Sequence, residues 1–347
     1  MLFLLLALAV LVMTSPACPR RKLACGTTST SKEALDSIYY VMELEKVLNR
    51  SSPQGTVDAT NPFPLWNIFE PRPQIPVFIH VLDDYEDLFI SQNMILDQFQ
   101  ILKSFYQPFG IDFHLQDVFY YDQPEWASGQ DNWEMKAQLR LGGYDTLNIY
   151  LVEGIISNDG QLLGGFASNP SYLNLFRDHP WWYEEAFLPD GVELAVDALP
   201  YNVFGSNPLC QEGKVLVHEV GHWLGLLHIF HKGCDPDLES GGDYVFDTPP
   251  AADALRQCFP PGTVIRTCQG PIFPDNLLEN PMDDIPDACR SSFTDGQVNR
   301  MFMTFHAMRE GMPPANADLP PIRDEPDVQT VAPNLPRIPP PEVSPFR

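Results

Sequence analysis

Three histidines and one glutamate stand close together in the chain, at a spacing that suits metal chemistry. His218 and His222 are four residues apart, so on a helix they project from one face and two imidazole nitrogens can reach one metal ion. Gly225 can take a left-handed conformation without a Cβ clash, which lets the chain turn sharply and bring His228 round as a third ligand. Three protein ligands and an open fourth position are typical of a catalytic zinc site rather than a structural one. Glu219, beside the first ligand, is the candidate general base that takes a proton from zinc-activated water.

Further matching segments surround this pattern, which reads H-E-x-x-H-x-x-G-x-x-H over residues 218–228. Met282 follows some tens of residues downstream in the sequence Glu-Asn-Pro-Met-Asp-Asp. Together with residues 241–249 and 289–297, these segments resemble the pappalysin family of metzincin metalloproteases, which includes ulilysin-like and secreted fungal enzymes. The resemblance spans about residues 75–309. It implies an α+β fold, namely a metzincin-like zinc protease domain with a mixed twisted sheet, an active-site helix and a Met-turn at Met282.

The resemblance also implies a function. We expect a secreted zinc-dependent endopeptidase that hydrolyses peptide bonds of protein or peptide substrates, with one zinc ion and with Glu219 as general base. The alternative is a catalytically inactive secreted protein that keeps zinc for structural reasons and acts by binding. The intact Glu219 argues against it, because a structural site has no use for a base there.

One residue departs from the family pattern. Pappalysins usually have a tyrosine two residues after the Met-turn methionine, where it helps to stabilise the reaction intermediate, and this chain has Asp284. An ionised carboxylate donates no hydrogen bond. Either another donor takes over this role, or the intermediate is less well stabilised.

An acidic segment gives a second candidate metal site. Asp243, Asp247 and Thr248 match a stretch that binds calcium in ulilysin-like enzymes. Calcium is a hard cation that takes oxygen ligands, some of them charged. A solvated acidic loop without calcium is an equally good interpretation of these residues.

Seven cysteines suit an oxidising compartment. Four of them lie in the half of the chain that contains the histidine motif, and the sequence alone allows three pairings of these four. The family resemblance implies two disulfides, Cys234–Cys268 and Cys258–Cys289.

The remaining cysteines include a candidate zymogen switch. Cys25 is followed by glycine, and in several metzincin zymogens such a cysteine places its thiolate on the zinc and excludes water. Cys25 is the free thiol if Cys18 pairs with Cys210. A Cys18–Cys25 bridge that leaves Cys210 unpaired remains the competing interpretation.

Bulk properties limit the partners and suggest the domain layout. The chain has 347 residues, of which 44% are apolar, and a formal net charge of −25, which excludes nucleic acid and argues against docking on anionic membranes. The apolar run at the start is too short to span a bilayer and predicts a signal peptide at residues 1–17. We then expect a pro-segment and linker at 18–62, a catalytic domain at 63–310 and a proline-rich disordered tail at 311–347. An ordinary N-terminal subdomain is the alternative for the helical part of 18–62.

The hydrophobic pattern predicts the elements that position the motif. One of them, the strand at 162–167, should form the edge with which substrate pairs, as the family resemblance implies. The other expected strands are 76–81, 111–120 and 147–152. The expected helices are 31–50, 91–106 (capped by Ser91), 211–224 (the active-site helix) and 295–309 (capped by Thr294).

Overall fold

The structure of the chain is a computed structural model. It describes residues 24–25, 32–51, 71–83, 90–129, 132–157, 160–170, 187–200, 212–235, 242–270 and 275–310. The signal peptide, most of the linker, the tail at 311–347, Cys18 and Cys210 lie outside the described residues. None of the helices in the described ranges is long and apolar enough to cross a membrane.

Seven strands form one mixed sheet within the described ranges, in the order β1-β6-β7-β4-β2-β3, with β5 pairing with β6. The four strands β7, β4, β2 and β3 are parallel to one another, whereas β6 runs antiparallel to β7. This is the mixed sheet that the sequence predicts. The strands are β1 (Ala24–Cys25), β2 (Gln74–Asp83), β3 (Asp112–Asp122), β4 (Leu147–Val152), β5 (Ile155–Ile156), β6 (Leu162–Ala167) and β7 (Val192–Ala195).

Helices cover both faces of this sheet because alternate residues of a strand point to opposite sides. In β4, Ile149 belongs to the main core, whereas Tyr150 and Val152 belong to a smaller core on the other face. The helices of the main core are α1, α2, α5 and α6, and those of the smaller core are α3 and α4. The helices are α1 (Lys32–Ser51), α2 (Gln92–Tyr106), α3 (Pro124–Ala127), α4 (Asn132–Leu139), α5 (Val215–Trp223) and α6 (Asp295–Thr304).

Two helix starts follow from the side chains in front of them. Ser91 caps α2 by accepting a hydrogen bond from the backbone N–H of Met94, and Thr294 caps α6 together with Gln297 in a capping box. Both caps were predicted from the sequence. The last helix ends differently from the prediction, because the α-helical part stops at Thr304 and a π-helical turn, Phe305–Arg309, follows.

The active-site helix is shorter than the predicted range of 211–224. Helix α5 begins at Val215, because Gly213 has a φ of +70°, which is incompatible with a right-handed helix. The backbone N–H of Lys214, just before the helix, donates to the carboxylate of Asp287 at 2.9 Å. An acidic partner at the amino end of a helix also interacts favourably with the helix dipole.

The strand predicted to be the free edge of the sheet has a neighbour on that side. Strand β1 pairs in parallel with β6, and Cys25 lies opposite Gly165. The free N–H and C=O groups of an edge strand favour such an added strand. In this chain, residues that precede the predicted catalytic domain therefore occupy part of the edge to which a substrate was expected to bind.

Helix α1 packs closely on the rest of the protein. Val41 and Leu44 belong to the main core, and they are 1% and 0% exposed. Glu45 accepts two hydrogen bonds from the guanidinium of Arg300 in α6, at 2.8 and 3.1 Å. The predicted pro-segment is thus held by apolar burial and by a bidentate ion pair.

Candidate active site

Helix α5 places its two histidines on one face, as their spacing predicts. His218, Glu219 and His222 are all fully buried. The helix ends where Gly225 adopts a φ of +92°, and the backbone N–H of Leu226 donates to the carbonyl of Gly221 at 2.9 Å. This turn brings His228 back toward the helix.

The three histidines converge on one point. The Nε2 atoms of His218, His222 and His228 lie 3.1–3.2 Å from one another. A tetrahedral zinc ion with Zn–N bonds of about 2.0–2.1 Å places two ligand nitrogens about 3.3–3.4 Å apart. The triangle of nitrogens therefore has nearly the size that zinc requires. Among the described residues, these three histidines form the cluster of histidine, cysteine or acidic side chains whose ligand atoms are close enough together to hold a metal ion.

Protonation within the cluster also suits a cation. The Nδ1–H of His218 donates to the carbonyl of Pro281 at 2.6 Å, and the Nδ1–H of His222 donates to the carbonyl of Leu226 at 2.8 Å. These bonds fix the tautomer that leaves Nε2 with a lone pair. Burial lowers the pKa of His218 and of His222 well below the usual range, and lowers that of His228 to about 3. Neutral imidazoles with converging lone pairs repel one another unless a cation lies between them.

The predicted Met-turn lies directly beneath this cluster. Met282 is fully buried, and a methyl group at Gly221, between the two helical histidines, would overlap its sulfur atom. The carbonyl of Met282 also accepts a hydrogen bond from the backbone N–H of Ile229, the residue after His228. The structure thus brings Met282 together with the three histidines and Glu219.

Strand β6 passes close to Glu219. A Cβ atom at Gly165 would come within 2.5 Å of Cγ and 2.9 Å of Oε1 of Glu219, so only glycine lets this strand and helix α5 approach so closely. The spacing of residues did not point to this role of Gly165. The signal was the doubled glycine inside a strand pattern, which often marks close approach of backbones.

Arg290 is a second residue whose role the sequence motifs do not indicate. It is 7% exposed and donates to the carbonyl of Lys214 at 3.0 Å, to the carboxylate of Asp287 at 3.4 Å and to the carbonyl of Asp283 at 3.5 Å. It therefore joins the start of α5 to the loop that follows the Met-turn. After burial, its positive charge is the largest contribution that lowers the pKa of His218.

Asp284 is positioned differently from its neighbour. The buried carboxylate of Asp283 accepts hydrogen bonds from the backbone N–H groups of Leu255 and Asp284, at 3.1 and 2.8 Å. The pKa of Arg256 is raised, mainly by its hydrogen bond to Asp253 and to a smaller extent by the charges of Asp284 and Asp283. Asp284 is thus close enough to Arg256 for its charge to act on that residue.

The remaining predicted site residues fall into two groups. The candidate calcium ligands have different hydrogen-bond partners. Asp243 binds the hydroxyl of Thr248, whereas Asp247 accepts hydrogen bonds from Thr294 Oγ1 and the backbone N–H of Gly296, at 2.7 and 2.8 Å, at the start of α6. The structure contains the disulfides Cys234–Cys268 and Cys258–Cys289, with Cα–Cα distances of 5.4 and 5.6 Å.

The chain is similar to known extracellular proteases. Residues 184–306 match the model of the peptidase family described as pregnancy-associated plasma protein-A. Extracellular metalloprotease 1 of Coccidioides posadasii is 32% identical over 243 residues, which are 69% of this chain and 79% of that protein. An extracellular metalloprotease of Podospora anserina is 30% identical over 306 residues, which are 86% of this chain and 94% of that protein.

A solved structure supports the fold. A promirolysin mutant of Tannerella forsythia matches with a TM-score of 0.54 and 22% identity, and the match covers 82% of this chain and 94% of that one. Identity at this level shows the fold alone. Together with the sequence relatives, it confirms the α+β metzincin architecture. The chain therefore belongs to the pappalysin family of extracellular metalloproteases.

Proposed function

We propose that this secreted metalloendopeptidase uses one zinc ion held by His218, His222 and His228, with Glu219 as its general base. The observation that carries the proposal is the triangle of Nε2 atoms, 3.1–3.2 Å on each side, with the Nε2 lone pairs of His218 and His222 directed inward. Glu219 follows the first of these histidines on the same buried helix. The alternative of an inactive zinc-containing binding protein has no support in the relatives described above, which are named metalloproteases.

Different residues of this chain then have separate roles in peptide hydrolysis. Zinc, when bound, supplies a Lewis acid that lowers the pKa of water and polarises a carbonyl group. Glu219 accepts a proton from the attacking water and delivers it to the leaving amine. Strand β6 offers its outer edge to an extended peptide of the substrate, which pairs with it as an added strand. The glycine at 165 keeps this edge close to Glu219.

The position at which the family has a tyrosine lacks a hydrogen-bond donor for the reaction intermediate in this chain. Asp284 stands there, and its charge acts on Arg256. An ionised carboxylate cannot donate a hydrogen bond to a developing oxyanion. We therefore propose that zinc, when held by His218, His222 and His228, would supply most of the electrostatic stabilisation of the intermediate, because Asp284 would donate no hydrogen bond to it.

A direct experiment tests the function. The full chain is purified from the medium of a secreting host, and its zinc content is measured. After the proposed pro-segment has been cleaved, the protein is incubated with casein, with and without a chelator. We expect about one zinc per chain and cleavage that stops with the chelator and returns when zinc is added. A zinc-loaded, processed protein that leaves casein intact would contradict the proposal.

Latency is the second part of the proposal. Residues 18–62 act as a pro-segment, and Cys25 blocks the zinc site until cleavage. Support comes from the backbone, since Cys25 lies opposite Gly165 on strand β6, the residue that faces Glu219. Thiolate is a strong zinc ligand, so a thiol delivered to this place would exclude water from the fourth position.

Cys25→Ala in the full-length precursor tests the switch. We expect this precursor to cleave casein, or to process itself, without prior cleavage near residues 51–75. Alkylation of the unreduced parent followed by mass spectrometry shows whether Cys25 is a free thiol or is bonded to Cys18. A mutant precursor as latent as the parent, or a Cys18–Cys25 disulfide in the parent, rules the switch out.

A calcium site at Asp243 is the third part of the proposal. Asp243 is 2% exposed, and one of its carboxylate oxygens, Oδ2, has no hydrogen-bond partner among the described residues. Burial raises the pKa of Asp243 to about 7. A cation at this oxygen, with Thr248 and Asp247 nearby in sequence, would favour the charged form. A rise in thermal stability with calcium that Asp243→Asn abolishes is the expected result, and an equal rise in both proteins would contradict the site.

A further inference from the structure

A pair of buried amide side chains connects the Met-turn to helix α6. Asn280 Nδ2 donates to Gln297 Oε1 at 2.7 Å, and Gln297 Nε2 donates back to Asn280 Oδ1 at 3.1 Å. Asn280 is 2% exposed and Gln297 is fully buried. Two buried amides that satisfy each other in both directions form a rigid link, because breaking it would leave unpaired polar groups out of contact with water.

Each amide oxygen in this pair accepts a second hydrogen bond, which fixes its orientation. Asn280 Oδ1 also accepts from the backbone N–H of Met282 at 2.9 Å, and Gln297 Oε1 also accepts from the backbone N–H of Thr294 at 3.0 Å. A flipped amide would direct an NH2 group at a backbone N–H in either place. The pair therefore closes the Met-turn at one end and forms part of the capping box of α6 at the other.

Pro281, in the Met-turn, forms a hydrogen bond with His218, one of the proposed zinc ligands. Pro281 lies between Asn280 and Met282, and its carbonyl accepts the Nδ1–H of His218 at 2.6 Å. The outer-nitrogen bond of a metal-binding histidine fixes its tautomer and ring orientation. The direction of the Pro281 carbonyl is in turn set by the backbone on both sides, which the Asn280 side chain holds.

We propose that the Asn280–Gln297 pair is a positioning device for His218, which it controls through the Pro281 carbonyl. The proposal deepens the proposed function, because it rests on His218 being a ligand of zinc. Neither amide contacts the metal cluster directly, so both are positioning residues and not catalytic ones. The pair makes the fold of α6 and the geometry of the metal site depend on each other.

Gln297→Met in the full chain tests the proposal, since methionine fills similar space but makes no comparable hydrogen bonds. Three properties are measured at pH 8: the rate of zinc release into a chelator, the visible spectrum of the cobalt-substituted protein, and the thermal midpoint of the metal-free protein. We expect zinc release to be about 10–100-fold faster, the range for losing an outer-shell partner. We also expect a changed cobalt spectrum.

Gln98→Met is the matched control. Gln98 is also 2% exposed, and its amide donates to the carbonyl of Gly213 at 2.8 Å, away from the Met-turn. This variant should lose a similar amount of thermal stability and should release zinc at the rate of the parent. If both variants release zinc at the parent rate, or if both accelerate it equally, Gln297 has only a structural role and the proposal is overturned.

A conservative variant keeps the test decisive if Gln297→Met does not fold. Gln297→Glu retains the shape and the acceptor for Thr294 but loses the amide donor to Asn280 Oδ1. We expect faster zinc release from this protein too, and unchanged release would overturn the proposal. Because zinc release is measured without a substrate, this outcome is independent of whether the zinc-loaded parent cleaves casein.

Discussion

Buried histidines occur at two places that this protein uses differently: His80 on strand β2, and the three histidines of the proposed zinc site. His80, on strand β2, is fully buried, and burial lowers its pKa to about 4. Its Nε2 lies 3.0 Å from Asn148 Oδ1 and its Nδ1 lies 3.2 Å from the hydroxyl of Tyr121, while its ring stacks on Tyr150 at 4.9 Å. The three histidines of the zinc site are also buried, with His218 and His222 at 0% and His228 at 6% exposed, but their Nε2 atoms face one another.

The difference shows what marks a metal site. Burial and a lowered pKa are common to both sets, so neither property identifies a ligand. His80 has a protein partner at each ring nitrogen, with Asn148 Oδ1 as acceptor and Tyr121 as donor, and its hydrogen bonds are complete without a metal. In the α5 site, the outer nitrogens of His218 and His222 are bonded to carbonyls and the inner lone pairs converge. Only the second arrangement requires a cation.

The largest expected effect separates the two sets directly. His228→Ala should lose zinc binding and proteolysis together, because two imidazoles leave zinc with two open positions. His80→Gln, the control, should retain zinc, since the ring nitrogens of His80 are bonded within the protein. Zinc content after gel filtration and casein hydrolysis are measured for both. A His228→Ala protein that keeps zinc and activity would break the comparison.

The next effect separates the base from the ligands within the site. Glu219→Gln should leave zinc bound and the fold intact, because Glu219 is the proposed base and not a ligand. Activity should fall by about 10²-fold or more, the range for losing a general base. The measurement is the turnover number of the zinc-loaded variant. Normal turnover would contradict the mechanism.

Buried His80 gives a pH effect of intermediate size, which comparison of the parent with a His80 variant isolates from that of the other buried histidines. Its folded-state pKa of about 4 lies below the ordinary value of 6.5, so the unfolded chain takes up a proton first as the pH falls. Stability from the neutral folded His80 is therefore complete above about pH 7 and is lost between about pH 6.5 and 4, by about 3 kcal/mol. His80→Gln should lack this component. Urea unfolding of both proteins with chelator present, at pH 8 and pH 4, gives the difference, and parallel losses would contradict the assignment.

The smallest expected effect adds a donor to the site. Asp284→Tyr restores the family residue two positions after Met282. If the new hydroxyl reaches the developing oxyanion, the turnover number should rise by several-fold, with a smaller change in the Michaelis constant. Steady-state kinetics on a peptide substrate measure both constants. An unchanged or lower turnover would show that Asp284 has a different role, such as its interaction with Arg256.

Several elements of the fold could be predicted because they depend on local pattern. Strands β4 and β6 have the predicted limits, and the caps of α2 and α6 are the predicted Ser91 and Thr294. Strands β1, β5 and β7 and helices α3 and α4 were missed. These are short elements, and β7 is buried along its whole length and shows no alternation. A short apolar run without periodicity gives no reliable signal for a strand.

The sequence by itself determined the chemistry of the site. The spacing of His218, Glu219, His222, Gly225 and His228 fixes which side chains share a helix face and where the chain turns back, because helix geometry and glycine φ angles are local properties. The tertiary structure alone decided what surrounds them. Asn280 and Gln297 are 17 residues apart, and Gly165 and Glu219 are 54 apart, so only packing brings each pair into contact. The same holds for β1 on the edge of β6, because strand pairing is satisfied by whichever backbone the fold brings to that edge.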